Sequence, residues 1–291
     1  KNGLHFGVTA SVADDRTEVT KWTYNTKIPS YGATGWWDKS AYKEGMVLGD
    51  IWGLQFDRFL TEDDFNADGS LKAGLPDQTK VFPAGYQFAP GDVLYKDLDN
   101  NGEIVKQTNT NDKGDLSVIG NALPRLQFGL NLDAAWKGFD ISMFFQGVAK
   151  RKLWAAGNQV LPGFTTGEPF YKGAEDYWTP ENTDAFYPRP MDYKQSASGN
   201  YSVNDRYLLN MAYLRLKTFT VGYSLPKVWL SKFKVQGLRV YFTGENLFTI
   251  DGVKPAIDPE IGIRTASGKS DQRNFGRSYP YQKTVSFGIQ L

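Results

Sequence analysis

Residues 125–136 alternate. Leu126, Phe128, Leu130, Leu132, Ala134 and Trp136 stand between Arg125, Gln127, Gly129, Asn131, Asp133 and Ala135. Side chains on a strand point to opposite faces with period two, so one face here is apolar and the other polar. Lys137-Gly138 follows, and then Phe139, Ile141, Met143 and Phe145 alternate with Asp140, Ser142, Phe144 and Gln146. Two strands of about ten residues joined by a tight turn have the dimensions of a transmembrane β-hairpin. A hairpin of a soluble β-sandwich shows the same alternation, so the hairpin alone does not decide.

Similar runs recur, and together they predict about seven strands. The first spans about 4–12, with Leu4, Phe6, Val8, Ala10 and Val12 on one face. A weaker one follows at about 17–24. The hairpin supplies the third and fourth. The fifth, about 213–225, slips its apolar phase between Leu216 and Phe219, which predicts a bulge. The sixth, about 236–248, sets Leu238, Val240 and Phe242 against Arg239, Tyr241 and Thr243. The seventh, about 282–291, sets Val285, Phe287, Ile289 and Leu291 against Thr284, Ser286, Gly288 and Gln290.

The connections alternate in length. Short links fall at Asp14-Asp15, at Lys137-Gly138 and over 226–235, while long ones span about 25–123, 149–210 and 249–281. Outer-membrane barrels segregate short periplasmic turns from long extracellular loops, and a soluble sandwich has no reason to. The expected fold is therefore all-β, an antiparallel transmembrane β-barrel wall with long extracellular loops. A count of seven, with the last strand running down, makes the first strand run down as well. The chain then corresponds to the C-terminal portion of a larger barrel.

Composition narrows the function. Lys and Arg number 33 against 32 Asp and Glu, a formal net charge of +1, so no basic field for nucleic acid is present. Cysteine is absent and His5 is the single histidine, which argues against a zinc centre and a histidine-based triad. Aromatic residues reach 15%. No apolar run approaches the roughly 18 residues of a transmembrane helix.

Specific motifs then join the pattern. GDVLYKDLDNNGEI at 91–104 is followed by DLSVIGNALPRLQFGLNLDAAWKGFDISMFFQGV at 115–148. Together they resemble the SusC/RagA-like family of TonB-linked outer-membrane transporters, with its D-x-N-x-D-G-x-I run, its V-I-G-N-x-x-P-R step and its K-G-F-D turn. YLRLKTFTVGYSLPKVWL, LRVYFTGENLFTI, AIDPEIG and SYPYQKTVSFGIQL resemble the end of that family's barrel in the same order, and EGMVLGDIWGLQFDRFL is similar to an upstream segment. The resemblance implies import of a bulky nutrient, an oligosaccharide (glycan) or a peptide. It also implies a SusD-like surface lipoprotein as partner, TonB as energy source, membrane lipid around the wall and no covalent chemistry. Nothing here corresponds to the family's plug domain. The implied location is the outer membrane of a Gram-negative cell, with the loops extracellular.

Two chemical expectations remain. Asp97, Asp99, Asn101 and Gly102 open like an EF-hand calcium loop, whose turn needs oxygen ligands and a glycine. Position twelve is Thr108, so the closing carboxylate is sought in Asp115, matching the family's later Asp, or in Asp112. The predicted calcium ligands are Asp97, Asp99, Asn101, Asp115 and the backbone carbonyl of Glu103. An Asx-rich turn without metal is the plain alternative. Asp64, Asn66, Asp68 and Gly69 form a weaker second opening. Trp36, Trp37, Trp154 and Trp178 in the long connections are candidates for stacking on substrate, while each alone also suits packing within the loops. Acidic neighbours such as Glu175 and Asp176 obey no spacing that singles out a glycosidase pair. A soluble or lipid-anchored glycan-binding β-protein is the second reading and a β-sandwich glycoside hydrolase the third. Detergent dependence separates the first reading from both.

Overall fold

The computed structural model describes residues 3–22, 44–106, 113–155, 157–164, 170–191, 199–254, 257–260 and 281–291. The strands are β1 (His5–Ala13), β2 (Asp50–Gly53), β3 (Phe56–Phe59), β4 (Val93–Tyr95), β5 (Ser117–Asn121) and β6 (Arg125–Trp136). They continue with β7 (Phe139–Lys150), β8 (Lys152–Leu153), β9 (Leu209–Asn210), β10 (Tyr213–Ser224), β11 (Arg239–Asp251) and β12 (Thr284–Gln290). A four-residue helix, α1 (Lys227–Leu230), lies between β10 and β11.

The long strands form a six-stranded antiparallel sheet in the order β1-β6-β7-β10-β11-β12. Its register joins the apolar faces. Val8 lies opposite Leu132 and Ala10 opposite Leu130. Leu132 lies opposite Met143, Met143 opposite Phe219, and Val221 opposite Phe242, which in turn faces Phe287. Phe6, Val12, Val285 and Ile289 on this face are exposed, and Phe287 is 82% exposed. Water does not tolerate so wide an apolar face on a soluble protein. Lipid does, provided the backbone groups beneath are paired along the ladder. The opposite face carries Thr9, Asn131, Asp133, Ser142, Gln146, Thr220 and Thr243, as a barrel lumen requires.

Two local devices hold this sheet. Lys137 and Gly138 both have positive φ, 47° and 91°, so β6 and β7 are joined by a two-residue turn of the kind whose twist matches the strands. The expected bulge is present at Lys217, where the register of β10 shifts between Leu216 and Thr218 against both neighbours. The one extra residue keeps Leu216 and Phe219 on the same face.

Over its described residues, 17–22, the predicted second strand is not a strand. Residue Glu18 makes one bridge to Val47, Val19 exchanges backbone bonds with Gly45 and Met46, and β1 pairs directly with β6. The weak alternation of that segment offers no apolar face for lipid, so it joins the loops. Among the described residues the wall has six strands where about seven were expected, and β1 runs toward the long-loop end rather than away from it. Asp14 is at that end, where its carboxylate accepts bonds from Arg125 Nη2 at 2.6 Å and the Leu126 amide at 3.1 Å.

Among the described residues, the long connections form a layer of their own with three two-stranded sheets, β2-β5, β3-β4 and β8-β9. Two cores lie there. One gathers Ile51, Leu153, Trp154, Leu161, Tyr207 and Met211. The other gathers Leu54, Phe59, Val93, Tyr95, Ile104 and Trp178. Gly91, at φ 89°, lies against the Trp178 ring, and a Cβ there would stand 2.4 Å from it.

Candidate functional site

The acidic loop follows β4. Asn100 and Gly102 take positive φ, 58° and 86°, and the turn they make directs carboxylates inward. Carboxylate oxygens of Asp97, Asp99 and Asp115 lie within 4.8 Å of one another. Asp115 is fully buried and accepts the amides of Leu98 at 2.8 Å and Val105 at 2.7 Å, which ties the loop's start to its end. Asp97 Oδ2 accepts the Gly102 amide at 2.8 Å, while its Oδ1 is buried with no hydrogen-bond partner. The Gly102 amide lowers the Asp97 pKa, whereas burial and then the like charges of Asp115 and Asp97 raise that of Asp99.

Of the remaining predicted ligands, Asn101 is engaged with protein, while Glu103 was expected to serve through its backbone carbonyl and not its side chain. Asn101 Oδ1 accepts the Glu103 amide at 2.8 Å, and the Glu103 carboxylate pairs with Lys80. Asp112 lies outside the described residues, so of the two closing candidates only Asp115 is placed. Three carboxylates around an unpartnered buried oxygen match the hard-oxygen donor set of calcium, with carbonyls and water left to complete it. The second acidic opening is spent on protein. Asp64 binds Arg58 through two bonds of 2.5 and 2.7 Å and closes a capping box with Thr61, and Asp68 accepts from Ser70. No donor set is left there for a cation.

Trp36 and Trp37 lie outside the described residues. Trp154 and Trp178 are buried, 2% and 8% exposed, one in each loop core. Packed inside those cores, they hold the loop layer together and present no stacking surface. A different set of rings borders open space. Phe170, Tyr171, Tyr177, Tyr187, Pro188 and Pro190 line a cleft of about 460 Å³, with Lys172 and Glu175 at its rim. These residues come from separate turns and share no periodicity along the chain.

Charged pairs span the lumen face. Asp140 on β7 and Arg239 on β11 reach across β10 with bonds of 3.0 and 2.5 Å. Near the long-loop end Arg215 is buried, and its Nη2 donates to Asp258 at 2.8 Å and its Nε to Thr249 Oγ1 at 2.7 Å. Glu260 lies 3.2 Å from Arg215 Nη1 and accepts from Lys217 at 2.7 Å. The bulged Lys217 and the Asp-Pro-Glu turn thus pin the β11–β12 connection to the wall. These partners are 43 residues apart, and no local spacing could pair them.

An open antiparallel wall, apolar outside and polar inside, with every long connection at one end, defines the class as transmembrane β-barrel protein. No family model matches the chain. It is 29% identical over 258 residues to TonB-dependent receptor P3 of Formosa agariphila, which is 86% of this chain and 22% of that receptor. It is 32% identical over 199 residues to TonB-dependent receptor P26 of the same organism, 66% of this chain and 19% of the receptor. It is 25% identical over 240 residues to TonB-dependent receptor SusC of Bacteroides thetaiotaomicron, 79% of this chain and 22% of SusC. Among solved structures, that of the RagAB peptide transporter matches with a TM-score of 0.62 at 18% identity, over 98% of this chain and 26% of that one. The chain is thus similar to TonB-dependent receptors, SusC among them, and shares the fold of the RagAB transporter. It spans about a fifth of the length of the curated relatives it matches. They are receptors and transporters rather than enzymes, in agreement with the non-catalytic expectation.

Proposed function

We propose that this chain forms part of the barrel wall of a TonB-dependent transporter in a Gram-negative outer membrane, importing a bulky nutrient, an oligosaccharide or a peptide. The carrying observation is the split of the sheet into a lipid-type apolar face and a polar face whose charges pair across strands. The long connections are then extracellular and meet a SusD-like lipoprotein and the substrate, while TonB acts on a plug. The wall supplies a polar passage and holds the loops, and no bond is made or broken by it. The test is uptake by cells carrying the complete receptor, with and without TonB. Accumulation of an oligosaccharide or peptide that stops without TonB is the expected result. Uptake indifferent to TonB, or a receptor soluble without detergent, would overturn the reading.

Calcium at the acidic loop is part of the proposal. Asp97, Asp99 and Asp115 would hold it, and the ion would fix the loop between β4 and β5. A ligand present at about a hundred times its Kd adds roughly 2.7 kcal/mol of stability. Heating the detergent-solubilised receptor with calcium and with a chelator should show that gain, and Asp99→Asn, at the exposed ligand, should remove most of it. Identical unfolding temperatures in calcium and chelator would rule the ion out.

A further inference from the structure

The end of the wall opposite the long loops carries a feature that transport does not use. Residues 224–238, between β10 and β11, contain Lys227, Lys232 and Lys234 and no acidic residue. All three lysines are exposed. In α1 Leu230 is tucked in, 5% exposed, which leaves its neighbours Val228 and Trp229 open at 77% and 61%. A Trp and a Val on a four-residue helix have no core of their own to join, and in water their exposure costs free energy.

Their surroundings point to what covers them. The Ser224 amide donates to Gly138 O at 2.8 Å, so this link abuts the β6–β7 turn. That turn ends the lipid-facing surface with exposed Trp136 and Phe139, and Tyr223 of β10 packs on Phe139 with ring centroids 4.5 Å apart. Lys137 lies 4.5 Å over the Trp136 ring. Aromatic rings with lysines beside them, at the rim of a lipid-facing wall, have the chemistry of a bilayer interface. The rings sit at headgroup level, and each ammonium on its flexible stem reaches phosphate. The one acid beside these four lysines, Asp140, is already paired with Arg239, so the patch complements negative charge.

We propose that α1 and the adjoining β6–β7 turn form an anchor for anionic phospholipid of the periplasmic leaflet. Val228 and Trp229 dip below the headgroups, and Lys137, Lys227, Lys232 and Lys234 engage the phosphates. This rests on the barrel reading above, and the experiment separates the two. The complete receptor would be labelled with a fluorophore at Val228→Cys, or separately at Leu130→Cys, on a background freed of any other cysteine. It would be reconstituted in vesicles bearing spin-labelled phosphatidylglycerol or phosphatidylcholine. Quenching of the Leu130 label by acyl-chain spin labels tests the wall itself, and failure there overturns both readings.

With that control positive, headgroup-level spin labels should quench the Val228 label. A lysine near an anionic surface is worth about five-fold in local lipid preference, so phosphatidylglycerol should quench roughly two- to ten-fold more strongly than phosphatidylcholine. Lys227→Gln, Lys232→Gln and Lys234→Gln combined should remove most of that preference while leaving the quenching by depth. A Val228 label reached only by aqueous iodide, or by neither quencher because protein covers it, would overturn the anchor. Equal quenching by the two lipids would overturn its charge selectivity.

Discussion

The six-stranded wall and the loop layer bury their apolar residues in opposite ways. In the wall Phe287, Ile289, Val285, Val8 and Phe6 stand exposed. In the loops Ile51, Leu54, Leu60, Leu153, Leu161 and Met211 are fully buried. The usual relation, regular strands around a core and loops on the surface, is inverted here. The reason is the solvent. A wall flanked by lipid needs backbone pairing and an apolar outer face but no core, because hydrocarbon is as apolar as leucine. The loops meet water, so they must build cores of their own, and they do so with short sheets and buried tyrosines and tryptophans. One chain therefore obeys two rules, and the boundary runs through the ends of the long strands.

The strongest way to break this comparison is at the boundary. Arg215 belongs to the wall by sequence and to the loop layer by its partners. Arg215→Ala would leave buried Asp258 without its cation and Glu260 with Lys217 alone, a loss of about 3–5 kcal/mol when one member of a buried pair is removed. The expected outcome is a β11–β12 connection cleaved faster by protease on intact cells, with the barrel still assembled. An unchanged cleavage rate would detach the loop from the wall. Truncating a loop-core ring, Trp154→Ala, should cost a comparable 3–5 kcal/mol, visible as a lowered unfolding transition of the loop layer. A neutral effect would return Trp154 to the surface and revive its role in stacking on substrate.

Leu130 and Asn131 test the wall itself. They are neighbours on β6 that face opposite sides, Leu130 opposite Phe145 and Asn131 opposite Phe144. Leu130→Arg should cost about 2–4 kcal/mol near the bilayer centre in a refolding titration, and Asn131→Arg much less. Equal costs would deny the membrane. The smallest effect is expected within the loops and depends on pH. Arg58 holds the Asp64 carboxyl down, from 3.8 to about 2. A depressed carboxyl stabilises the fold fully above its ordinary range and loses that contribution as pH falls through the folded value. Amide protection at Thr61 and Phe65 should hold to about pH 4 and fall toward pH 2, and Arg58→Met should move the fall upward. A fall already complete above pH 5 would assign it to another group.

The long strands were legible because lipid enforces strict alternation over ten or more residues. Their hairpin, their bulge at Lys217 and the segregation of short and long links follow from the same constraint. The segment 17–24 misled because a few alternating residues carry no information about whether a partner strand accepts them, and β6 was already paired with β1. Asp97 and Asp99 were legible as a local turn. Asp115 was expected beside them only through the family resemblance, and it took the fold to show how it is held, its carboxylate fixed by amides at Leu98 and Val105 on two sides of the loop. The tryptophans were ambiguous in principle, because an indole that packs and an indole that stacks on ligand have the same sequence signature.

By itself, then, the sequence determined which residues face lipid, which face the lumen and where the chain turns, because side-chain period and turn chemistry are local properties. Tertiary structure alone decided that the wall has six strands, that Trp154 and Trp178 are core, that Arg215 and Lys217 grip Asp258 and Glu260, and that a cleft opens among Tyr171, Tyr177 and Pro188. Each of those depends on segments far apart in the chain, and nothing in local spacing encodes which distant segment fills a given space.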